Sequence, residues 1–238
     1  GHFGMNTFAF HEEHQIKIAD RWISWGWSDR KRQQITPVGN LKCLGTIINY
    51  DPKGCALMVE MAIPRYSYHL SAVAVARQWL DYLEDQQLFL KSLPKCLQEQ
   101  VIIRLYSTDY RLDQIARWKD EMPEIKINRG YGDIKALVQK SRLYISTYNA
   151  TTYLESLSWN LPTIIFWNPN HWELNEETKP YFEMLKSVSI FHETPESAAQ
   201  QMIKVWDDVD GWWHSKQVQD TRKFFCYQYS RLPGKPIG

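Results

Sequence analysis

Short apolar runs recur along most of the chain, at residues 56–63, 101–106, 124–127, 142–147, 163–167 and 188–191, each of strand length. Between them apolar positions return at helical spacing. Examples are Ala72, Val75, Ala76, Trp79, Leu80 and Leu83, then Ile115 and Trp118, then Ile134, Leu137 and Val138, and later Ala198, Ala199, Met202, Ile203 and Trp206. Strands alternating with helices predict parallel βαβ units, and right-handed crossovers wind them into an open α/β sheet covered on both faces. Ligands of such sheets bind beyond the carboxyl ends of the strands. The loops after Ile63, Arg104, Ile127, Thr147 and Trp167 should therefore share one rim.

The first fifty residues are less regular. A Gly/His/Phe turn at 1–4 precedes a polar helical run at 11–20 and two strand-like pieces at 21–27 and 35–38. Trp22, Trp25 and Trp27 alternate, so one face of the first piece should be buried. Residues 212–229 predict a helix packing back across the domain, stopped by a Pro/Gly tail. The chain thus divides into residues 1–50, the end of something larger with a linker; 51–210, the sheet domain; and 211–238, a C-terminal helix and tail.

Composition narrows the classes. At ~100–200 residues per domain, 238 residues make one large domain, or one domain plus part of another. The 28 basic and 27 acidic residues nearly cancel and form no blocks, which argues against nucleic acid as a partner. Cys43, Cys55, Cys96 and Cys226 are irregularly spaced, with neither a zinc pattern nor a disulfide framework, and fit a reducing cytoplasm. Hydropathy predicts no membrane span, leaving at most peripheral association at the inner face of a membrane. The 11 Trp and 13 Tyr are core and groove aromatics, a residue class that also walls sugar and base sites.

The strand at 142–147 delivers Asn149, Thr151 and Thr152 into the first turn of the next helix, where free N–H groups and the macrodipole favour anions. Glu155 falls on the same helical face, placed to accept from ribose hydroxyls. The competing reading is a capping box, Thr152-x-x-Glu155, which needs no ligand. Arg104 should emerge at the rim to pair with a diphosphate, or else form a surface ion pair with Asp109 or Asp113. Arg65, beside Tyr66 and Tyr68, leaves the first strand in the same way. Asn168, His171 and Trp172 lie in an amide- and aromatic-rich loop suited to a sugar, or simply to loop packing. His11 and His14 lack the spacing and third ligand of a metal site, so no metal is expected.

The segment Ser-Thr-Tyr-Asn-Ala-Thr-Thr-Tyr-Leu-Glu-Ser-Leu-Ser-Trp-Asn-Leu-Pro-Thr-Ile, residues 146–164, resembles the donor-domain signature of GT-B-fold glycosyltransferases. Residues 132–146 resemble their short helix leading into that strand. Residues 1–4, 13–29 and 37–42 resemble a family of bacterial transferases from surface-polysaccharide and lipopolysaccharide gene clusters, and this likeness spans nearly the whole chain. The resemblance implies a Rossmann-like GT-B donor domain with an N-terminal remnant of the acceptor-side domain. It also implies a metal-independent transferase with no cofactor, moving sugar from a nucleotide-sugar to a glycan or lipid-linked acceptor.

In that family the Gly-His-aromatic-Gly element follows a Gln-His-Gly triplet, and this chain begins where the triplet should end, so a fragment is expected. The resemblance places the nucleobase at residues 129–132, where Tyr131 could stack. It makes His2, or more weakly Glu12 or Glu13, the base that activates the acceptor. Two alternatives stand beside it. One is a nucleotide-sugar epimerase of the same architecture, for which no acid/base carboxylates stand out; the other is a non-catalytic nucleotide- or glycan-binding module.

Overall fold

The computed structural model describes residues 3–64, 66 and 73–233. His2, Arg65, Tyr68 and Ala72 lie outside the described residues. The N-terminal part holds α1 (Phe10–Ile18), β1 (Trp22–Ser24), β2 (Ile35–Pro37) and a 3-10 turn at Leu41–Cys43. Then come β3 (Cys55–Val59), α2 (Gln78–Lys91), α3 (Lys95–Gln98), β4 (Val101–Arg104), α4 (Gln114–Glu121), β5 (Lys126–Asn128), α5 (Lys135–Val138) and β6 (Ser141–Ser146). The chain continues through α6 (Thr151–Ser158), β7 (Thr163–Phe166), α7 (Lys179–Ser187), β8 (Phe191–His192), α8 (Pro195–Val205), α9 (Val209–Trp213) and α10 (Lys216–Tyr229).

The six strands β3–β8 are parallel, in the order β5-β4-β3-β6-β7-β8. This is the doubly wound Rossmann order, in which the winding direction reverses between the first and fourth strands, here β3 and β6. Both faces are covered, so strand residues such as Ala56, Leu57, Met58, Ile145, Ile164 and Ile165 are fully buried. α2 packs with α8, while α10 packs on α6 and α7. Aromatics fill the layers: Phe89 stacks on Phe166 at 5.1 Å, and Phe182 meets Trp167 and Phe191 edge to face at 5.3 and 5.0 Å.

Some expected boundaries move. The helix expected from residue 72 begins at Gln78, because Ala76 takes a left-handed turn at φ +47°. The first strand stops at Val59, short of residue 63. The piece at 21–27 is a strand only over Trp22–Ser24, pairing in parallel with β2. Gly26 ends it at φ +148°, where a Cβ would sit 2.6 Å from the Tyr227 carbonyl oxygen. The three tryptophans therefore do not share one strand face. Trp27 is buried past the turn and packs on Trp22 at 5.3 Å.

Candidate functional site

The carboxyl ends of β4, β5, β6 and β7 carry most of the residues that the sequence singled out. At the β6 exit, Ala150 is extended and begins α6 without any side-chain cap. The capping-box reading is thereby overturned: Thr152 lies inside the helix, its hydroxyl donates to Tyr148 Oη at 3.2 Å, and Glu155 turns elsewhere. The Thr151 side chain is half-buried and has no hydrogen-bond partner among the described residues. The first turn of α6 thus keeps its N–H groups for something other than its own side chains.

Glu155 is 2% exposed, and its Oε1 accepts from Lys42 Nζ at 2.8 Å. Burial pushes its carboxyl up from the ordinary value, while the Lys42 and Lys135 ammonium groups pull it down. Lys42 comes from the turn that follows the small β1–β2 sheet, 113 residues away, and its side chain stays 63% exposed. One ammonium donor is used and the others face outward.

Beside Thr152, the Tyr144 hydroxyl is buried, with no well-formed hydrogen bond among the described residues. Asn149 is also buried, but both ends of its amide are engaged: Nδ2 donates to Asn6 Oδ1 at 3.0 Å and Oδ1 accepts from Tyr153 Oη at 3.0 Å. It locks the N-terminal segment to the start of α6. The same segment is tied down by Thr7 N donating to Glu173 O, by Asn175 N donating to Met5 O, and by the Asn6–Leu174 bridge. Residues 4–7, which follow His2, therefore run against the loop after β7.

Arg104 differs from both expectations. It is 9% exposed and forms no ion pair with Asp109 or Asp113. Its Nη1 donates to Asn128 Oδ1 at 3.0 Å, and its Nη2 donates to the Gly130 and Gly132 carbonyls at 2.9 and 2.8 Å. Burial lowers its pKa from the ordinary value. The guanidinium holds the loop from β5, and Gly130 at φ +82° lets that loop approach Leu105 O, which a Cβ would meet at 2.3 Å. Tyr131 stands at its tip, 71% exposed.

In the loop after β7, Asn168 is half-buried and makes an Asx turn, accepting from Asn170 N at 3.0 Å. His171 is buried, its Nε2 lies 4.0 Å from Asp81 Oδ2, and burial lowers its pKa against the pull of Asp81. Trp172 is 1% exposed and packs edge-on to Tyr82 at 5.5 Å. With Trp167 it walls a cavity of about 450 Å³ beside Glu173, Glu176 and Glu183.

On α1, Glu13 is exposed and ion-paired with Arg32. Glu12 is not on the solvated face: it is 4% exposed and accepts from Gly4 N through both carboxylate oxygens, at 2.7 and 2.9 Å. Burial raises its pKa to about 7. His11 and His14 are exposed, and no group of three or more His, Cys, Asp or Glu side chains that could hold a metal occurs among the described residues.

One residue went unnoticed in the sequence. Glu60, immediately after β3, is 2% exposed at the switch point; its Oε2 accepts from Trp118 Nε1 at 3.2 Å and its Oε1 has no partner among the described residues. Burial raises its pKa to about 8. Next to it Tyr82 Oη accepts from Met61 N at 2.9 Å and bonds Thr147 Oγ1 at 2.7 Å, while Thr147 donates to Val59 O at 2.9 Å. The exits of β3 and β6 are thereby sewn together. The available signal was a lone carboxylate inside the apolar run 56–63.

A six-stranded parallel sheet in this order, covered by helices on both faces, defines a Rossmann-like α/β protein. The family model of the LIC12162 family transferases matches residues 1–237, and the chain belongs to that family. No curated protein matches the chain. The transferase assignment therefore comes from the family as a whole. Among the described residues no helix is long and apolar enough to cross a membrane.

Proposed function

We propose that this transferase is a GT-B-type glycosyltransferase, or its donor-binding part, and takes its sugar from a nucleotide-sugar in bacterial surface-polysaccharide synthesis. The observation that carries the reading is the uncapped start of α6 next to the Lys42–Glu155 pair, at the strand ends beside the reversal of winding. The donor's phosphates sit against the first turn of α6, with Thr151 and the outward donors of Lys42 adding hydrogen bonds, and Thr152 joining them once its hydroxyl turns away from Tyr148. Glu155 accepts from ribose hydroxyls through the oxygen that Lys42 leaves open. Tyr131 stacks on the base, and Arg104 supports its loop from below.

In the transfer itself, an acceptor hydroxyl oxygen bonds to the anomeric carbon as the bond to the phosphate oxygen breaks. The electron pair leaves with the nucleotide, whose growing charge the helix N-terminus and Lys42 stabilise. The hydroxyl proton passes to a base, for which His2 is the first choice and Glu13 the second. Glu12 acts one step back, fixing the Gly4 N–H and with it the turn that follows His2. Asn168, His171 and Trp172 shape the sugar side, and Arg65 is a further guanidinium for the diphosphate. The acceptor is a glycan or a lipid-linked glycan at the inner face of the membrane, and the protein works in the cytoplasm without cofactor or metal.

Calorimetric titration with UDP-, GDP-, CDP- and CMP-linked sugars tests this. One donor should bind, and Glu155→Ala should weaken it roughly tenfold or more with the melting transition retained. If none of the four binds, the donor site is not here.

A further inference from the structure

A second cavity of about 420 Å³ opens at the exits of β3 and β4, on the α2 and α4 side of the sheet. Its lining includes Arg77, Arg111 and Arg117, with Trp79, Leu80 and Tyr66, and no carboxylate among the described residues. Arg77 and Arg111 are exposed and have neither an ion pair nor a side-chain hydrogen bond among the described residues. Arg117 spends only its Nε, on the Leu112 carbonyl at 2.8 Å, and lies 6.0 Å from the Trp79 ring.

The nearest acids in sequence to Arg111 do not neutralise it. Asp109 is occupied by Asp113 N, Gln114 N and Gln114 Nε2, and neither Asp109 nor Asp113 lines the cavity. Trp79 is 3% exposed, and its indole N–H is buried without an acceptor. The two loops that bring the arginines together hold Ala76, Tyr110, Arg111 and Asp113 in left-handed backbone, at φ +47° to +64°. Such strain persists only where surrounding structure enforces it.

We propose that this cavity is a second anion site, which seats the phosphate group of a ligand other than the nucleotide held at α6. Three guanidinium groups without counter-charge, around a pocket walled by Trp79 and Leu80, suit a phosphate ester with an apolar or ring-bearing body. In the transfer reading, on which this assignment of the ligand rests, that ligand is a phosphate-bearing acceptor. The excess of guanidinium over carboxylate does not depend on that reading.

Inorganic pyrophosphate is the probe, titrated into the whole chain by calorimetry at low salt. Binding is expected to weaken with added salt, and to weaken roughly tenfold or more in the Arg77→Gln/Arg111→Asn double variant. Asparagine accepts the left-handed backbone at position 111, so the fold should hold, as a melting curve will show. With UDP saturating the α6 site, so that pyrophosphate cannot report from there, the parent should still bind pyrophosphate and the double variant should bind it roughly tenfold or more weakly. A parent chain that ignores pyrophosphate, or a double variant that binds it equally well, overturns the proposal. Loss of all pyrophosphate binding under saturating UDP would also overturn it, making the cavity the seat of the nucleotide's own phosphates. Absence of UDP binding would instead strike only the donor reading.

Discussion

Glu60 and Glu155 are equally hidden, each 2% exposed, and stand on either side of the point where the sheet reverses its winding. Glu155 has the Lys42 ammonium at 2.8 Å, whereas Glu60 has one indole N–H and no cation. The first is buried against an ammonium supplied from a distant segment; the second is buried without one, and its carboxyl is raised to about 8. Burial alone therefore does not decide what a carboxyl group does. The counter-charge decides, and only Glu155 has one.

The largest expected effect comes from erasing the titration of Glu60. Between the ordinary value of 4.5 and about 8, the unfolded chain ionises this carboxyl while the folded chain holds its proton. Stability must then fall as pH rises through that window and level off above it, at up to ~1.4 kcal/mol per pH unit. Glu60→Gln should remove this share of the slope in urea melts taken from pH 5 to pH 8. A variant that keeps the parent slope would show that Glu60 does not titrate there.

The second test turns Glu155 into a copy of Glu60. Lys42→Ala removes the cation and should cost about 2 kcal/mol at pH 7.5, less than a fully buried pair because Lys42 faces solvent. In the double variant with Glu155→Gln most of that loss should disappear. Additive losses in a denaturation cycle would mean that the pair is incidental.

A smaller effect should follow from Arg104→Ala, which strands the Gly130 and Gly132 carbonyls, at about 1–2 kcal/mol. Hydrogen exchange should quicken in residues 129–133 and not in α6. Faster exchange in α6 instead would mean that Arg104 supports more than its loop.

Much of the sheet was legible because strands buried on both faces must be continuous apolar runs. The six runs expected at 56–63 through 188–191 all contain or touch an observed strand. The same rule concealed Glu60, which reads as one more position of the first run. Arg104 was placed correctly at the end of β4, but its partners are backbone carbonyls, which leave no trace in side-chain sequence. The capping box at Thr152 and Glu155 matched as a pattern and failed as geometry, since the helix starts at Thr151 after an extended Ala150. Lys42 could not be paired with Glu155 across 113 residues by local spacing.

The contacts of the N-terminal segment bear on how the protein is made. Met5, Asn6 and Thr7 bond to residues 173–175, and Gly4 accepts from Thr178. During synthesis this stretch waits on the order of ten to thirty seconds for its partners to leave the ribosome, at ~5–20 residues per second. Until then its apolar Met5 and Phe8 are exposed to chaperones and to neighbouring chains. The rim beside α6 is completed only once residues 173–178 have emerged, so a nascent chain cannot acquire the site piecemeal.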